Sequence, residues 1–200
     1  MKKQIIQLFH NMIGKDKKSE PDKQNIVDRA GEAGTAGAKN VFDKVTDQKD
    51  FGRFVNDMLR EGCEAGCILV GDVDRFKEIN DIYGRDTGVA IQRSVIGVLY
   101  DHFEGCACIG IAGGDIFTLW IPGLSREKSD YVRWRVGRVN DRLLHPQKEL
   151  PPVSVSVGAA FYEAGDDCRS LSKRANKMFY RVKKNGSCGC AIYDGSEWAS

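Results

Sequence analysis

Two hundred residues with 42% apolar side chains supply one domain with a single buried core and some chain to spare. A net charge of +2 and a pI near 8.1 lack the lopsided basic charge of a nucleic-acid binder, so no nucleic-acid partner is expected. No stretch reaches the length of a membrane span, and seven cysteines in a chain too long to need disulfide staples read as free thiols in a reducing cytoplasm.

The chain opens on Met1-Lys2-Lys3, but the apolar run that follows is broken by Gln4, Gln7, His10 and Asn11, so no secretory leader is expected. Ile5, Ile6, Leu8, Phe9, Met12 and Ile13 fall at helical spacing and predict an amphipathic helix over 1–13. Such a stripe must be buried somewhere: either it packs back on the domain, or it docks a partner or a second copy. Residues 14–39 are charged, then rich in Gly and Ala, with Pro21, which is the composition of a flexible linker. The globular domain is expected over 40–200.

Phe51 to Leu59 reads as a helix, with Phe51, Phe54, Val55, Met58 and Leu59 on one side. Cys67 to Gly71 is a continuous apolar run, as in a strand covered on both faces, and it ends at Asp72. A long helix is predicted over 87–102. The apolar runs Cys106–Ala112 and Ile116–Ile121 flank Gly113-Gly114-Asp115, a hairpin signal. Residues 126–144 predict a charged surface helix. After Pro151-Pro152, Val153 to Val157 alternates strictly and predicts a half-buried strand. Asp166 or Asp167 can cap a helix that runs to Lys184 with Leu171, Ala175, Met178, Phe179 and Val182 inward, ended by Asn185-Gly186. A last strand is predicted from Cys188 to Tyr193. The fold class is α+β, with a ferredoxin-like βαββαβ core plus an extra helix and strand.

The pairs Cys106/Cys108 and Cys188/Cys190 each enclose one residue, which on a strand turns both thiols to one face. A four-thiolate zinc site is conceivable, but zinc pairs usually enclose at least two residues, and small core side chains are the simpler reading.

The acidic residues stand where strands end. Asp72 and Asp74 close the first core strand, and Asp115 sits at the hairpin tip. In a βαββαβ sheet the first and third strands are neighbours, so Asp72 and Asp115 can meet and form a hard-oxygen site for Mg²⁺ with phosphate completing the shell. Gly113 and Gly114 leave room for a phosphate beside the backbone. Lys77 offers a cation to the same phosphates. Taken singly, an Asp after a strand is more often a helix cap and a Gly pair is more often a turn.

In combination they resemble a known family. Asp72-Val73-Asp74-Arg75-Phe76-Lys77-Glu78-Ile79-Asn80-Asp81-Ile82-Tyr83-Gly84, continuing to Gly88, resembles the D-x-D-x-F-K-x-I-N-D-x-Y-G-x-x-x-G segment of diguanylate cyclases. Gly113-Gly114-Asp115-Ile116-Phe117 resembles their GG[DE]EF hairpin, Asp43-Lys44-Val45-Thr46 their D-x-L-T opening, Val153–Ala159 their V-T-V-S-I-G-V-A strand, and Ala175–Gly186 their R-A-D-x-A-L-Y-x-A-K-x-x-G helix. The resemblance runs from Asp43 to Tyr193 and implies a nucleotidyl-cyclase or palm-like fold.

It also implies a chemistry. Members join two GTP molecules into cyclic di-GMP, one GTP per domain, with two domains facing each other. Carried over by position, Asp72 and Asp115 would ligate Mg²⁺ or Mn²⁺ with help from the Val73 carbonyl, and Asp115 would be catalytic. Lys77 and Lys183 would contact phosphate, Asn80 the guanine edge, and Phe76, Gly113 and Gly114 would line the nucleotide site. Four positions depart from the pattern. The guanine-reading carboxylate after Gly88 is Val89, the Glu of the hairpin is Ile116, the Arg after the helix-ending Gly is Ser187, and the R-x-x-D inhibition motif falls on Glu104 and Ala107. The expectation is therefore a degenerate GGDEF domain, a nucleotide-binding or dimerising module with little or no cyclic di-GMP synthesis. The alternatives are an active diguanylate cyclase, a cyclase of altered nucleotide specificity, and a structural remnant. Expected partners are GTP or another nucleoside triphosphate, and a second copy or a partner protein held through the N-terminal helix.

Overall fold

The computed structural model describes residues 45–103, 108–112, 114–146 and 149–195, which belong to a unit spanning 43–200. The predicted N-terminal helix and linker, Asp43, Lys44, Glu104, Cys106, Ala107 and Gly113 lie outside the described residues.

In chain order the elements are β1 (Val45–Asp47), α1 (Gln48–Arg60), β2 (Gly66–Val73), α2 (Phe76–Tyr83), α3 (Arg85–His102), β3 (Cys108–Ala112), β4 (Ile116–Pro122), a 3-10 turn (Arg126–Lys128), α4 (Ser129–Leu144), β5 (Val155–Phe161), α5 (Cys168–Lys184) and β6 (Gly189–Ile192). The strands form one sheet in the order β1-β3-β4-β2-β5-β6. Its four central strands are the ferredoxin-like βαββαβ core. The first and third of them, β2 and β4, are antiparallel neighbours with Asp72 opposite Ile116. The short edge strand β1 adds to β3 in parallel, and β6 adds to β5 in parallel.

The core follows the apolar periodicity. Phe51, Val55, Ile68, Leu69, Leu99, Trp120 and Phe161 have almost no exposed surface. Burying a side chain of this size contributes about 1.5–3 kcal/mol. Asp47 caps α1 by accepting the Asp50 N–H, and Asp167 caps α5 in a capping box with Ser170.

Two predicted elements differ. The helix expected over 87–102 is α3, which starts two residues earlier, at Arg85, and the helix before it, α2, answers to no predicted element. Gly84, at φ +85°, closes α2 by donating its N–H to Asn80 O and then starts α3 at Arg85, a turn that suits a residue without Cβ. The strand expected to be half-buried is buried at every position from Val155 to Phe161, and it starts two residues later than predicted. The serine face of the alternation turns to Asp74 rather than to water, since Ser154 and Ser156 both donate to that carboxylate. On α4, the buried Asn140 donates to Val155 O and accepts Val155 N–H, which satisfies the strand's first backbone groups.

Phe179 is only half-buried, unlike its predicted inward partners on α5. The helix instead approaches β5 at Gly158, where a Cβ would overlap Ala175 O and Phe179 N. Gly158→Ala is expected to cost about 2–3 kcal/mol, since neither clashing atom belongs to a side chain that can swing away. Urea unfolding should show the loss as a lower midpoint with an unchanged m-value.

Candidate functional site

The site is assembled at one end of the sheet. Strand β2 carries Asp72 to its C-terminal end, and the next residue, Val73, donates its N–H to Asp115 O at 3.2 Å. The β2–β4 register therefore sets the two aspartates side by side. Asp115 approaches Asp72 closely enough to push the Asp72 carboxyl upward by charge repulsion. Gly114, at φ +89°, makes the turn of the three-residue hairpin loop, and Gln92 of α3 donates its amide to Gly114 O, which ties the loop to the helix. No sequence signal marked Gln92, because a glutamine on a helix is ordinarily a solvated side chain.

Asp74 is the most connected side chain of the site and is only 7% exposed. Its Oδ1 accepts from Lys183 Nζ at 2.6 Å and from Ser156 Oγ at 2.7 Å, and its Oδ2 accepts from Ser154 Oγ at 2.6 Å and the Cys188 N–H at 3.1 Å. Asp72 has fewer donors. Its buried Oδ1 lies 2.5 Å from Lys183 Nζ as an ion pair and has no other donor among the described residues.

The difference in donors decides the two acidities. Burial raises the Asp72 carboxyl, and the Lys183 ammonium does not offset it against Asp74 and Asp115. Burial acts on Asp74 in the same sense, but Lys183 and the two serine hydroxyls outweigh it and hold that carboxyl below the usual range. Lys183 is held above the ordinary lysine value: burial opposes this, and the two carboxylates overcome it.

Opposite Asp74, the backbone doubles back through Gly186 (φ +97°), Ser187 (φ +64°) and Cys188 (φ +56°). Two successive non-glycine residues in the left-handed region cost of order 1 kcal/mol or more each. The Cys188 N–H, bound to Asp74 Oδ2 and Ser156 Oγ, helps to hold them there. Ser187, where the pattern has arginine, lies in this strained turn. The residues that sequence reasoning did not assign to the site are Asp74, Ser154, Ser156 and the Cys188 amide. The D-x-D spacing and the Val-Ser-Val-Ser-Val alternation were the available signals.

The residues expected to read the base lie on α2 and α3. Asn80 Oδ1 rests against Gly88, where a Cβ would overlap it, and the Phe76 ring reaches the same glycine. Val89 follows on α3, half-buried. Lys77 is exposed at the start of α2. Ile116, opposite Asp72, is 41% exposed, a large apolar side chain open to solvent beside carboxylates. Of the positions expected to act together, the structure adjoins Asp72, Asp115 and Lys183, and it places Asn80 and Phe76 together against Gly88. Cys67 and Cys108 are buried in the core, and no zinc-type cluster occurs among the described residues.

The diguanylate cyclase GGDEF domain family model matches residues 49–188. The diguanylate cyclase DosC of Escherichia coli (strain K12) is 32% identical over 123 residues, which is 60% of this chain and 26% of the relative. The diguanylate cyclase DgcM of the same organism is 32% identical over 127 residues, 60% of this chain and 28% of the relative. The chain thus spans about a quarter of the length of these curated relatives. Among solved structures, the GGDEF domain of DgcB from Caulobacter crescentus in complex with c-di-GMP superposes with a TM-score of 0.65 at 23% identity, covering 76% of this chain and 92% of that one. The active GGEEF domain of a diguanylate cyclase from Vibrio cholerae gives 0.67 at 18% identity, covering 75% and 98%. At these identities the structural likeness shows the fold.

Proposed function

This chain belongs to the diguanylate cyclase GGDEF family, and we propose that it is a degenerate member: a nucleotide-binding or dimerising module of cyclic di-GMP signalling that makes little or no cyclic di-GMP. The observation that carries this is the pairing of Asp72 with Ile116. The hairpin residue facing the first aspartate is a solvent-exposed isoleucine, so the carboxylate that the family pattern has there is missing.

The residues that remain suit a nucleoside triphosphate. The donors are hard oxygens, and the buried Asp72 Oδ1, which has no donor besides Lys183 among the described residues, fits a divalent ion. Asp72, Asp115 and the Val73 carbonyl would hold Mg²⁺ or Mn²⁺, which when bound would supply positive charge to the phosphates. Among the described residues no three His, Cys, Asp or Glu side chains gather as a ligand set, so phosphate and water would complete the shell. Lys183 and Lys77 would neutralise the triphosphate. Gly113 and Gly114 would admit it beside the backbone. Asn80, braced by Phe76 and Gly88, would meet the base edge alone, because Val89 accepts nothing from guanine.

A second reading, an active cyclase with altered base preference, rests on the adjacency of Asp72, Asp115 and Lys183. One experiment separates the two: incubation with each of the four nucleoside triphosphates and Mn²⁺, products resolved by chromatography, and binding measured in parallel. Saturable binding without a cyclic product is expected. Turnover of any triphosphate at an ordinary enzymatic rate would overturn the degenerate reading. With neither binding nor turnover, only a structural role would remain. No helix among the described residues is long and apolar enough to cross a membrane, and a cytoplasmic site of action, with a second copy or a partner engaged through residues 1–13, is part of the same proposal.

A further inference from the structure

The geometry points to Lys183 as a built-in counter-ion that a divalent cation must displace from Asp72, so that metal binds poorly alone and well with a polyphosphate. This rests on the reading that Asp72 and Asp115 form the cation site.

The ammonium bridges two carboxylates, at 2.5 Å from Asp72 and 2.6 Å from Asp74. The bridge is asymmetric. Asp74 is only 7% exposed and has four donors besides its own fold contacts to replace: Lys183, two serine hydroxyls and the Cys188 amide. Asp72 has Lys183, on its buried Oδ1, as its one counter-charge among the described residues, and that oxygen has no further donor. Asp74 is therefore the permanent anchor of the lysine, and Asp72 is the ligand it guards. The stem emerges from the last turn of α5 and the side chain is 27% exposed, with Asp74 as a second carboxylate to hold the ammonium when it leaves Asp72.

A divalent ion on Asp72 would sit within about 4 Å of this ammonium, where like charges repel strongly even with partial solvent screening. A polyphosphate changes the balance. Its oxygens offer the ammonium a new partner at the moment they offer the metal its missing ligands. Metal and polyphosphate then each strengthen the binding of the other, and the two effects are equal by linkage. A lysine that served phosphate alone would leave the affinity for metal alone unchanged.

The test measures Mn²⁺ binding to the full chain by titration calorimetry and by the loss of the free-ion paramagnetic resonance signal, with and without inorganic triphosphate. Lys183→Met is expected to bind Mn²⁺ alone about tenfold or more tightly than the native chain, the scale of removing a like charge at contact. It should also lose most of the coupling to triphosphate. Lys183→Gln is the second variant should the first fail to fold as judged by circular dichroism, and Lys183→Arg should retain the native behaviour. Lys184→Met, which removes the neighbouring exposed lysine, should change Mn²⁺ affinity far less. Asp72→Asn locates the ion. If native Mn²⁺ binding depends on Asp72 but neither Lys183→Met nor Lys183→Gln tightens it, the counter-ion role is overturned while the cation site stands. If no variant shows Asp72-dependent Mn²⁺ binding, both fall.

Discussion

Val89→Asp combined with Ile116→Glu and Ser187→Arg is expected to raise cyclic di-GMP synthesis from GTP by about 100-fold or more over the native chain. The three changes act at three parts of one site. Position 89 follows Gly88, against which Asn80 rests, so a carboxylate there can accept from the guanine edge beside Asn80. Position 116 is opposite Asp72 in the β2–β4 register and already open to solvent, so a glutamate can be placed there without burying a charge. Position 187 lies in the left-handed turn whose next amide binds Asp74, the partner of Lys183, so an arginine there adds a cation beside the same cluster. A polar contact of this kind contributes about 1–3 kcal/mol, and each 1.36 kcal/mol lost from the barrier is tenfold in rate. The three changes act on one transition state and will not simply add. The measurement is initial-rate synthesis with Mn²⁺ for the triple variant, each single variant and the native chain. A native rate on the order of 1–10 s⁻¹, ordinary for an enzyme, would show that Val89 and Ile116 are tolerated and would end the degenerate reading.

Asp74→Ala is expected to destabilise the domain by about 3 kcal/mol and to lower its melting temperature by about 10 °C. Removing the carboxylate leaves four donors facing an apolar gap: Lys183, the hydroxyls of Ser154 and Ser156, and the Cys188 amide. Breaking a buried ion pair from one side costs about 3–5 kcal/mol. The value is set at the low end because Lys183 is 27% exposed and can turn to water or to Asp72. The loss should also be structural. Without Asp74 the left-handed Ser187 and Cys188 lose a restraint, so amide hydrogen exchange should rise at Cys188 and at the start of β6. Asp74→Asn keeps one acceptor oxygen and should fall between native and Asp74→Ala. A melting temperature unchanged in both variants would mean that the cluster contributes nothing net to the fold.

Much of this protein is legible in its sequence because local rules were not in conflict. The apolar run Cys67–Val70 must be a buried strand, the Gly-Gly-Asp between two apolar runs must turn, and Asp167 with Ser170 caps α5 by groups three residues apart. Asp72 beside Asp115 was also reachable, because βαββαβ order makes β2 and β4 neighbours and register then leaves little freedom. Val89, Ile116 and Ser187 stand out only against the family pattern that the resemblance supplies.

The tertiary structure decided what those rules leave open. Val-Ser-Val-Ser-Val has the alternation of a half-buried strand, and period alone cannot say that the polar face meets a carboxylate instead of water. Only the packing of β5 between β2 and β6 puts Ser154 and Ser156 on Asp74. Asp74 and Lys183 are 109 residues apart, and no local pattern pairs them. Their contact exists because Gly158 lets α5 lie close on β5. The sequence by itself determined most of the elements, though neither α2 nor the short β1, together with the family resemblance and the departures from it, all of which depend on residue type and short spacing. The structure alone decided which charges meet, because that depends on how helices seat on a sheet, and so it separated Asp74, held by four donors, from Asp72, which meets Lys183 alone among the described cations.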